Sequence, residues 1–295
     1  MKKKLTDLST AVKLIPSGSS IAIGGTIIRR QPVAFFHELM RSKVKDITLT
    51  AFAFGIGADM LAAAGMLKRV EAVYIGMFQF GMAYNFRRAV EAGEVTVGDF
   101  SETAMIARYA AAAHGLDYFP TKCLLGTSMP EVNKEQIKAI TSPFSGDKMH
   151  AVQACKTDFT VMHGFIGDEY GNVQWPEYRD ADDIDTIIAK ASTRLIITVE
   201  KIVPYSEIKL NPNRTYIPHH MVEAIVEVPF GSYPAQCEEF YDEDEDHIRY
   251  YQECAKEPGR WMSEYASKYI YGVKNHMEFL DLALTPSRML YLTVR

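Results

Sequence analysis

The sequence has only four cysteines, Cys123, Cys155, Cys237 and Cys254, and no two of them stand in a CxxC pair or at metal-finger spacing. A disulfide framework and a zinc ribbon are thereby excluded, and the thiols read as ordinary buried or half-buried groups. Long apolar runs are missing as well. The longest, such as Leu61 to Leu67 and Leu195 to Val199, fall far short of the roughly 20 residues that cross a bilayer. The start, Lys2-Lys3-Lys4 followed by Leu5-Thr6-Asp7-Leu8, lacks the continuous apolar core of a signal peptide. The expected setting is therefore cytoplasmic, with no membrane. Positive charge is not in excess, with 32 Lys and Arg against 37 Asp and Glu, so nucleic acid is set aside as a partner. The motifs GxGxxG, GxxxxGK[ST] and GxSxG do not occur, which leaves dinucleotide binding, a P-loop and a hydrolase elbow without an anchor.

What is present is a 295-residue chain, 47% hydrophobic and 23% charged, the balance of a globular protein with a large core. Its first half repeats one pattern: a short apolar strand, a glycine-containing loop, an amphipathic helix. This is the signature of βα units and predicts an α/β fold with an open, mostly parallel sheet. Ser20 to Ile23 is a strand ending in Gly24-Gly25-Thr26, and Pro32 opens a helix through Met40. Strands follow at Ile47 to Phe52 and Val70 to Ile75. Between them lies a helix from Asp59 to Ala64, with Asp59 as its candidate N-cap. Tyr84 to Ala92 and Thr103 to Ala113 are the next helices, the second begun by Ser101-Glu102.

The stretch from about 125 to 147, rich in Ser, Pro, Asn and Lys, reads as an irregular excursion. Strands resume at Ala151 to Gln153 and Asp158 to His163, a helix covers Asp182 to Ala191, and further strands cover Arg194 to Val199 and Ala224 to Val228. Seven carboxylates lie between Glu238 and Asp246, ahead of a helical C-terminal extension at about 238–295. The expectation is a single domain over 1–295.

Four constellations carry chemistry. Gly24-Gly25-Thr26 either admits a ligand close to backbone N–H groups or is a tight turn with no ligand. Arg29-Arg30 beside it suits a carboxylate or phosphate, since guanidinium binds these bidentately; solvated surface arginines are the plainer alternative. Tyr84, Asn85, Arg87 and Arg88 form a polar cluster at a helix start, either an anion site or an exposed face. Glu102, in the first turn of an otherwise apolar helix, is a capping group or, if it faces the Gly24 loop, a general acid or base. His163 reads as a satisfied core histidine, and His219-His220 has no ligand set around it, so no metal is expected.

In order along the chain, these segments resemble the A (α) subunit of family I CoA-transferases, glutaconate CoA-transferase type. The matching pieces are Gly18 with Ile21 to Gly25, Arg29-Arg30-Gln31-Pro32, Gly93 after Arg87-Arg88, Leu116 to Pro120 and Gly126. Later come Gly167-Asp168 with Gly171-Asn172, Glu200-Lys201-Ile202, and the long stretch from Val222 to Cys237. The resemblance implies an open α/β sheet covered by helices, shared with small sugar-phosphate isomerases. It implies ping-pong transfer of CoA between an acyl-CoA and a carboxylic acid, through a glutamate in a Glu-Asn-Gly type motif on a separate B subunit. No such motif occurs in this chain: Glu200 is followed by Lys201 and Glu169 by Tyr170. The implied partners are a B subunit in an α2β2 or larger assembly, with the CoA thioester as substrate and no permanently bound cofactor. The implied substrate residues are Gly24, Gly25, Thr26, Arg29, Arg30, Tyr84, Arg88 and Gly126. Glu102 is the one catalytic candidate, because relatives of this A chain belong to two-chain hydrolases that open a ring in steroid-derived CoA thioesters, in which a glutamate near this position takes part. Transfer is the first reading and ring-opening hydrolysis the second.

Overall fold

A computed structural model describes residues 1–176 and 183–293. Seven parallel strands form its centre, in the order β14 (Val222–Glu227), β12 (Leu195–Ile202), β10 (Phe159–Gly167), β1 (Ser20–Ile23), β2 (Ile47–Ala51), β4 (Leu67–Ala72) and β6 (Thr96–Asp99). Two short antiparallel strands, β11 (Val173–Gln174) and β13 (Thr215–Ile217), extend the end of β10. The parallel strands read as near-continuous apolar runs because both faces are covered: in β12, Leu195, Ile196, Ile197 and Val199 are all fully buried. The predicted α/β class with a mostly parallel sheet is the observed one.

The chain proceeds outward from β1 through β2, β4 and β6, then returns to β1's other side and proceeds through β10, β12 and β14. The order thus reverses between β1 and β10. In open α/β sheets, ligands lie at the carboxyl ends of strands beside such a reversal. That rule places the Gly24 loop, which leaves the carboxyl end of β1, at the expected point.

Two strands depart from the predicted boundaries in a way that matters. In place of one strand from Val70 to Ile75 there are β4 and, after a break at Val73, the short β5 (Tyr74–Ile75). Likewise β2 breaks at Phe52 before β3 (Ala53–Phe54). The pair β3 and β5 forms its own parallel ladder, and Val73 N–H donates to Phe52 O at 3.0 Å. The sheet therefore bends at the carboxyl ends of β2 and β4. The stretch at 125–147 is also more ordered than its composition suggested. It holds α6 (Met129–Val132) and β8 (Ile137–Thr141), which pairs with β9 (Lys148–Gln153); β9 in turn pairs with β7 (Tyr118–Thr121) in a second, antiparallel sheet.

Helices cover the faces. These are α1 (Leu8–Val12), α2 (Val33–Arg41), α3 (Ile56–Ala63), α4 (Tyr84–Glu91), α5 (Glu102–Ala113) and α7 (Asp183–Ala191); Asp182, predicted to begin the last of these, lies outside the described residues. Asp59 is not the N-cap of its own helix. It is fully buried inside α3 and accepts from Phe86 N–H at 2.9 Å, Asn85 Nδ2 at 2.8 Å and Tyr251 Oη at 2.6 Å. It therefore caps α4 and ties it to the helix Glu245–Ala255. No described helix is long and apolar enough to cross a membrane.

The C-terminal helices bury two histidines among aromatic rings. His247 sits 3.0 Å from Tyr265 Oη, and His276 Nε2 lies 2.8 Å from Pro229 O. Burial is the main cause that pushes each down from 6.5 to about 4. Their depressed values mean that between pH 4 and 6.5 the unfolded chain binds more protons than the folded one. Stability is thus full above pH 6.5 and is lost on acidification toward pH 4. We expect the unfolding midpoint to drop between pH 7.5 and 5 by an amount equivalent to a few kcal/mol, at about 1.4 kcal/mol per pH unit per group; a midpoint flat over that range would contradict the burial of neutral imidazoles.

Candidate active site

A cavity of about 920 Å³ opens along the carboxyl ends of the outward strands. Thr26 to Arg29 line it after β1, Phe52 and Ala53 after β2, Val73 and Tyr74 after β4, and Glu102 and Ile106 from α5. Ile184 and Ile187 of α7 close another side, and Gln236 and Glu243 add polar groups. The two sheet breaks thus become walls, since Phe52 and Val73 are the residues at which β2 and β4 depart from the sheet.

The loop after β1 is locked in an unusual backbone shape. Gly25, Ile27 and Arg30 all have positive φ, at 76°, 45° and 48°, and for Ile such a value is strained. Gly25 is required twice over: a Cβ there would lie 2.5 Å from Arg30 O and 2.6 Å from Arg29 O. Thr26 and Arg29 exchange backbone hydrogen bonds at 3.0 and 2.7 Å, closing a tight turn. Asp185 then holds the turn from α7. Its Oδ1 accepts from Gly25 N–H at 2.8 Å, and its Oδ2 pairs with Arg30 Nη1 at 3.0 Å, both side chains 2% exposed.

These contacts place the sequence candidates. Thr26, Arg29 and Glu102 line the same cavity. Glu102 is exposed rather than buried, in the first turn of a helix whose cap is Ser101 Oγ accepting from Ala104 N–H at 3.2 Å. Gly24 and Gly25 shape the turn but do not line the cavity, and their N–H groups are taken by Val161 O at 3.0 Å and by Asp185. Thr26 N–H is taken by Arg29 O. In this arrangement the loop does not direct these three donors at a reacting carbonyl. Arg30, expected to receive substrate, is instead buried in the ion pair with Asp185, with Glu238 at 3.3 Å and its guanidinium 5.5 Å from the centre of the Phe165 ring.

The cluster at the start of α4 is structural too. Arg88 donates to Ala255 O at 2.7 Å and Lys256 O at 3.2 Å, Asn85 is bonded to Asp59, and Arg87 pairs with Glu91 on the surface. Tyr84 and Arg88 are not among the cavity residues, nor is Gly126, an exposed turn glycine with φ of 78°.

Sequence reasoning did not single out Gln236, Glu243, Phe52, Val73 or Tyr74 as lining residues. The strand-end residues could have been found from the rule that sites lie at carboxyl ends of parallel strands. Gln236 and Glu243 arrive from the far side of the sheet, carried by the turn from Cys237 to Tyr241. That turn rests on Glu200, a buried carboxylate that accepts from Tyr241 Oη at 2.6 Å, Phe230 N–H at 2.6 Å and Gly231 N–H at 3.2 Å. His163 Nε2 lies 2.6 Å from the same carboxylate and its Nδ1 2.7 Å from Thr198 Oγ1. His163 is therefore a core histidine with both nitrogens bonded. Among the described residues, His163, Glu200 and Cys237 are the one group that could present three ligand atoms to a metal, all within 4.8 Å. Glu200's oxygens are already committed, however, and burial pushes the Cys237 thiol well up, away from the thiolate a metal needs.

A cavity at the reversal of a mostly parallel sheet, lined among the described residues by one arginine and two glutamates between apolar walls, has the form of a small-molecule site of the α/β class. The coenzyme A transferase family model matches residues 5–228, and the chain belongs to that family. It is 29% identical to the A subunit of glutaconate CoA-transferase from Acidaminococcus fermentans, over 100% of this chain and 95% of that one. The solved structure of that enzyme superposes over 99% of this chain and 96% of its own with a TM-score of 0.92. The chain is also 29% identical to the cholesterol ring-cleaving hydrolase IpdA subunit of Mycobacterium tuberculosis, over 93% and 95% of the two chains. An uncharacterized protein of Archaeoglobus fulgidus is 37% identical over 91% of this chain, which spans 59% of that relative's length.

Asp185→Ala would take from Arg30 the carboxylate at 3.0 Å, leaving Glu238 at 3.3 Å beside the guanidinium, and would remove the acceptor of Gly25 N–H. We expect a destabilisation of about 3–5 kcal/mol, read as a lowered unfolding midpoint. Asp185→Asn, which keeps an acceptor, should cost less. Equal midpoints for wild type and Asp185→Ala would show that the loop does not depend on this carboxylate.

Proposed function

We propose that this chain is the A subunit of a heteromeric CoA-transferase that moves CoA between an acyl-CoA and a carboxylic acid. The observation that carries this reading is the match to glutaconate CoA-transferase over 99% of the chain, with the cavity at the strand ends holding Thr26, Arg29 and Glu102. Arg29 supplies the cation that a carboxylate substrate needs. The sequence holds no Glu-Asn-Gly motif, and the likeness to an A subunit supports a nucleophile supplied by a separate B subunit.

The chemistry then divides between the chains. A carboxylate of the B chain attacks the thioester carbonyl and CoA thiolate leaves, giving an acyl-glutamyl anhydride. The thiolate attacks the glutamyl carbonyl of that anhydride and releases the first acid, leaving a glutamyl-CoA thioester. The second acid reverses these steps. Each step is easier than direct transfer of CoA from an acyl-CoA to a second carboxylate. The rim of the cavity supports a second chain beside it: Tyr74, Phe78 and Ile106 are 39%, 60% and 39% exposed, an apolar edge of the kind that partner surfaces cover. The assembly is α2β2 or larger, the substrate a CoA thioester, and the setting the cytoplasm.

A second reading, hydrolysis of a carbon–carbon bond in a cyclic CoA thioester, is favoured by two observations. Glu102 faces the cavity, where a carboxylate can move a proton to or from water or substrate, and the IpdA chain is as similar in sequence as the transferase.

The test is to co-express this chain with the product of its neighbouring reading frame, incubate the complex with acetyl-CoA, and weigh both chains intact. Transfer predicts a borohydride-sensitive CoA adduct on the partner, retained in Glu102→Gln. No adduct, together with a hydrolytic activity on a cyclic CoA thioester that Glu102→Gln lowers by about 100-fold or more, would establish the second reading instead.

A further inference from the structure

Two aromatic rings that line the cavity are stacked on each other. Tyr74 and Phe78 have ring centres 5.8 Å apart and planes inclined by only 25°. Tyr74 reaches this position by folding back across Gly76. A Cβ on Gly76 would lie 2.4 Å from the Tyr74 hydroxyl oxygen and 2.7 Å from its Cζ, so a side chain there would displace the ring. Phe78 is 60% exposed; with one face on Tyr74, its other face is open.

An exposed phenylalanine ring gives up the gain of burial, and here the backbone beneath it is strained as well. The φ of Phe78 is 47°, in the left-handed region that a bulky residue rarely adopts. The surrounding turn holds it there. Met77 N–H donates to Gly81 O at 2.9 Å, Gly81 N–H to Phe78 O at 3.0 Å and Phe80 N–H to Met77 O at 3.0 Å. Met77 and Phe80 point into the core, and Gln252 Nε2 donates to Phe80 O at 3.1 Å and to Met82 O at 3.0 Å. On the other side, Gly76 N–H donates to Phe54 O at 3.1 Å, which ties the turn to β3. Buried anchors before and after Phe78 thus keep one exposed ring in one place. Strain maintained in this way clusters at ligand clamps and active sites, where a group must be positioned before its ligand arrives.

The chemistry of the ring decides what it can receive. The face of an aromatic ring carries partial negative charge, so it stacks with a flat aromatic group and disfavours a carboxylate laid on it. Phe52, Val73 and Ile106 line the same cavity and add apolar contact beside the pair. An acid whose reacting carboxylate enters the cavity would set its tail against these rings. A flat aromatic tail gains the stack there, a short alkyl tail gains little, and a second carboxylate is opposed.

Resting on the transferase reading above, we propose that Tyr74 and Phe78 form a subsite for the tail of the acyl group, and that this subsite selects acids carrying a flat aromatic group over short acids and dicarboxylic acids.

The test uses the assembled complex with acetyl-CoA as donor and phenylacetate, propionate and glutarate as acceptors. The kcat/KM of wild type should be highest for phenylacetate. Phe78→Ala should raise KM for phenylacetate by about ten-fold, the scale of a lost aromatic contact, and KM for propionate by much less. Phe78→Tyr, which keeps the ring face, should recover the preference for phenylacetate. Gly76→Ala, which moves Tyr74 without removing a ring, should act in the same direction as Phe78→Ala. Equal losses for phenylacetate and propionate in Phe78→Ala, or an unchanged KM for phenylacetate, would overturn the proposal. Loss of the complex in that variant would overturn it too, by assigning the ring to the partner chain. A second measurement does not need turnover: the fluorescence anisotropy of 2-naphthylacetate titrated with the complex, which wild type should bind about ten-fold more tightly than Phe78→Ala. If wild type transfers CoA to none of the three acids, the transferase reading fails. The titration then decides the subsite alone, and equal affinities, or no binding by wild type, would sink it.

Discussion

One buried carboxylate, Asp185, holds both sides of the loop that leaves the central strand: one oxygen takes Gly25 N–H and the other takes the Arg30 guanidinium. Without it, a turn containing a left-handed isoleucine and a left-handed arginine would relax toward ordinary backbone angles, since such conformations persist only where surrounding structure over-determines them. Because Asp185 sits on α7, beside Ile184 and Ile187 of the cavity wall, the same helix fixes the loop and closes the site. The position of Arg29 follows from that of Gly25 and Arg30.

A second buried carboxylate does the corresponding work on the opposite side. Glu200 collects Tyr241, His163 and two backbone N–H groups, and a carboxylate placed in the interior is tolerable only when it is satisfied in this way. Through Tyr241 it orders the segment that delivers Gln236 and Glu243. Arg29, Gln236 and Glu243 therefore rest on two interior carboxylates rather than on flexible surface loops, which suits a site whose side chains must be in place before substrate arrives. Its apolar walls come from the sheet itself, where β2 and β4 break at Phe52 and Val73.

Much of this could be read from the residues. The strand–glycine–helix repeat revealed a mostly parallel α/β sheet, Ser101 was legible as a helix start, and His163 as a core histidine. Arg29 and Glu102, read from the sequence as groups that could act on a substrate, both line the cavity. What escaped was every role that depends on residues far apart in the chain. Arg29 and Arg30 are neighbours with the same chemistry, yet one lines the cavity and the other is consumed by Asp185, 155 positions away. Asp59 has the residue type and place of an N-cap, but its partners lie on α4 and on a helix nearly 200 residues on. Strand β8 was hidden because it is half exposed in a small antiparallel sheet, so its composition is that of a surface segment. Gln236 lies in the stretch that resembles the family and Glu243 in the acidic run, but neither pattern points to a cavity; only the closing of the chain around β1 brings them to Arg29.

We propose that the cavity at the carboxyl ends of β1, β2 and β4 receives the acyl-CoA in an assembly with a partner chain. Hydrogen–deuterium exchange on the assembled complex, with and without acetyl-CoA, tests it most directly. Slowed exchange is expected in the peptides covering residues 24–31, 52–56 and 73–80 of this chain. Protection confined to the partner, or found here only in the sheet around residues 118–153, would contradict it.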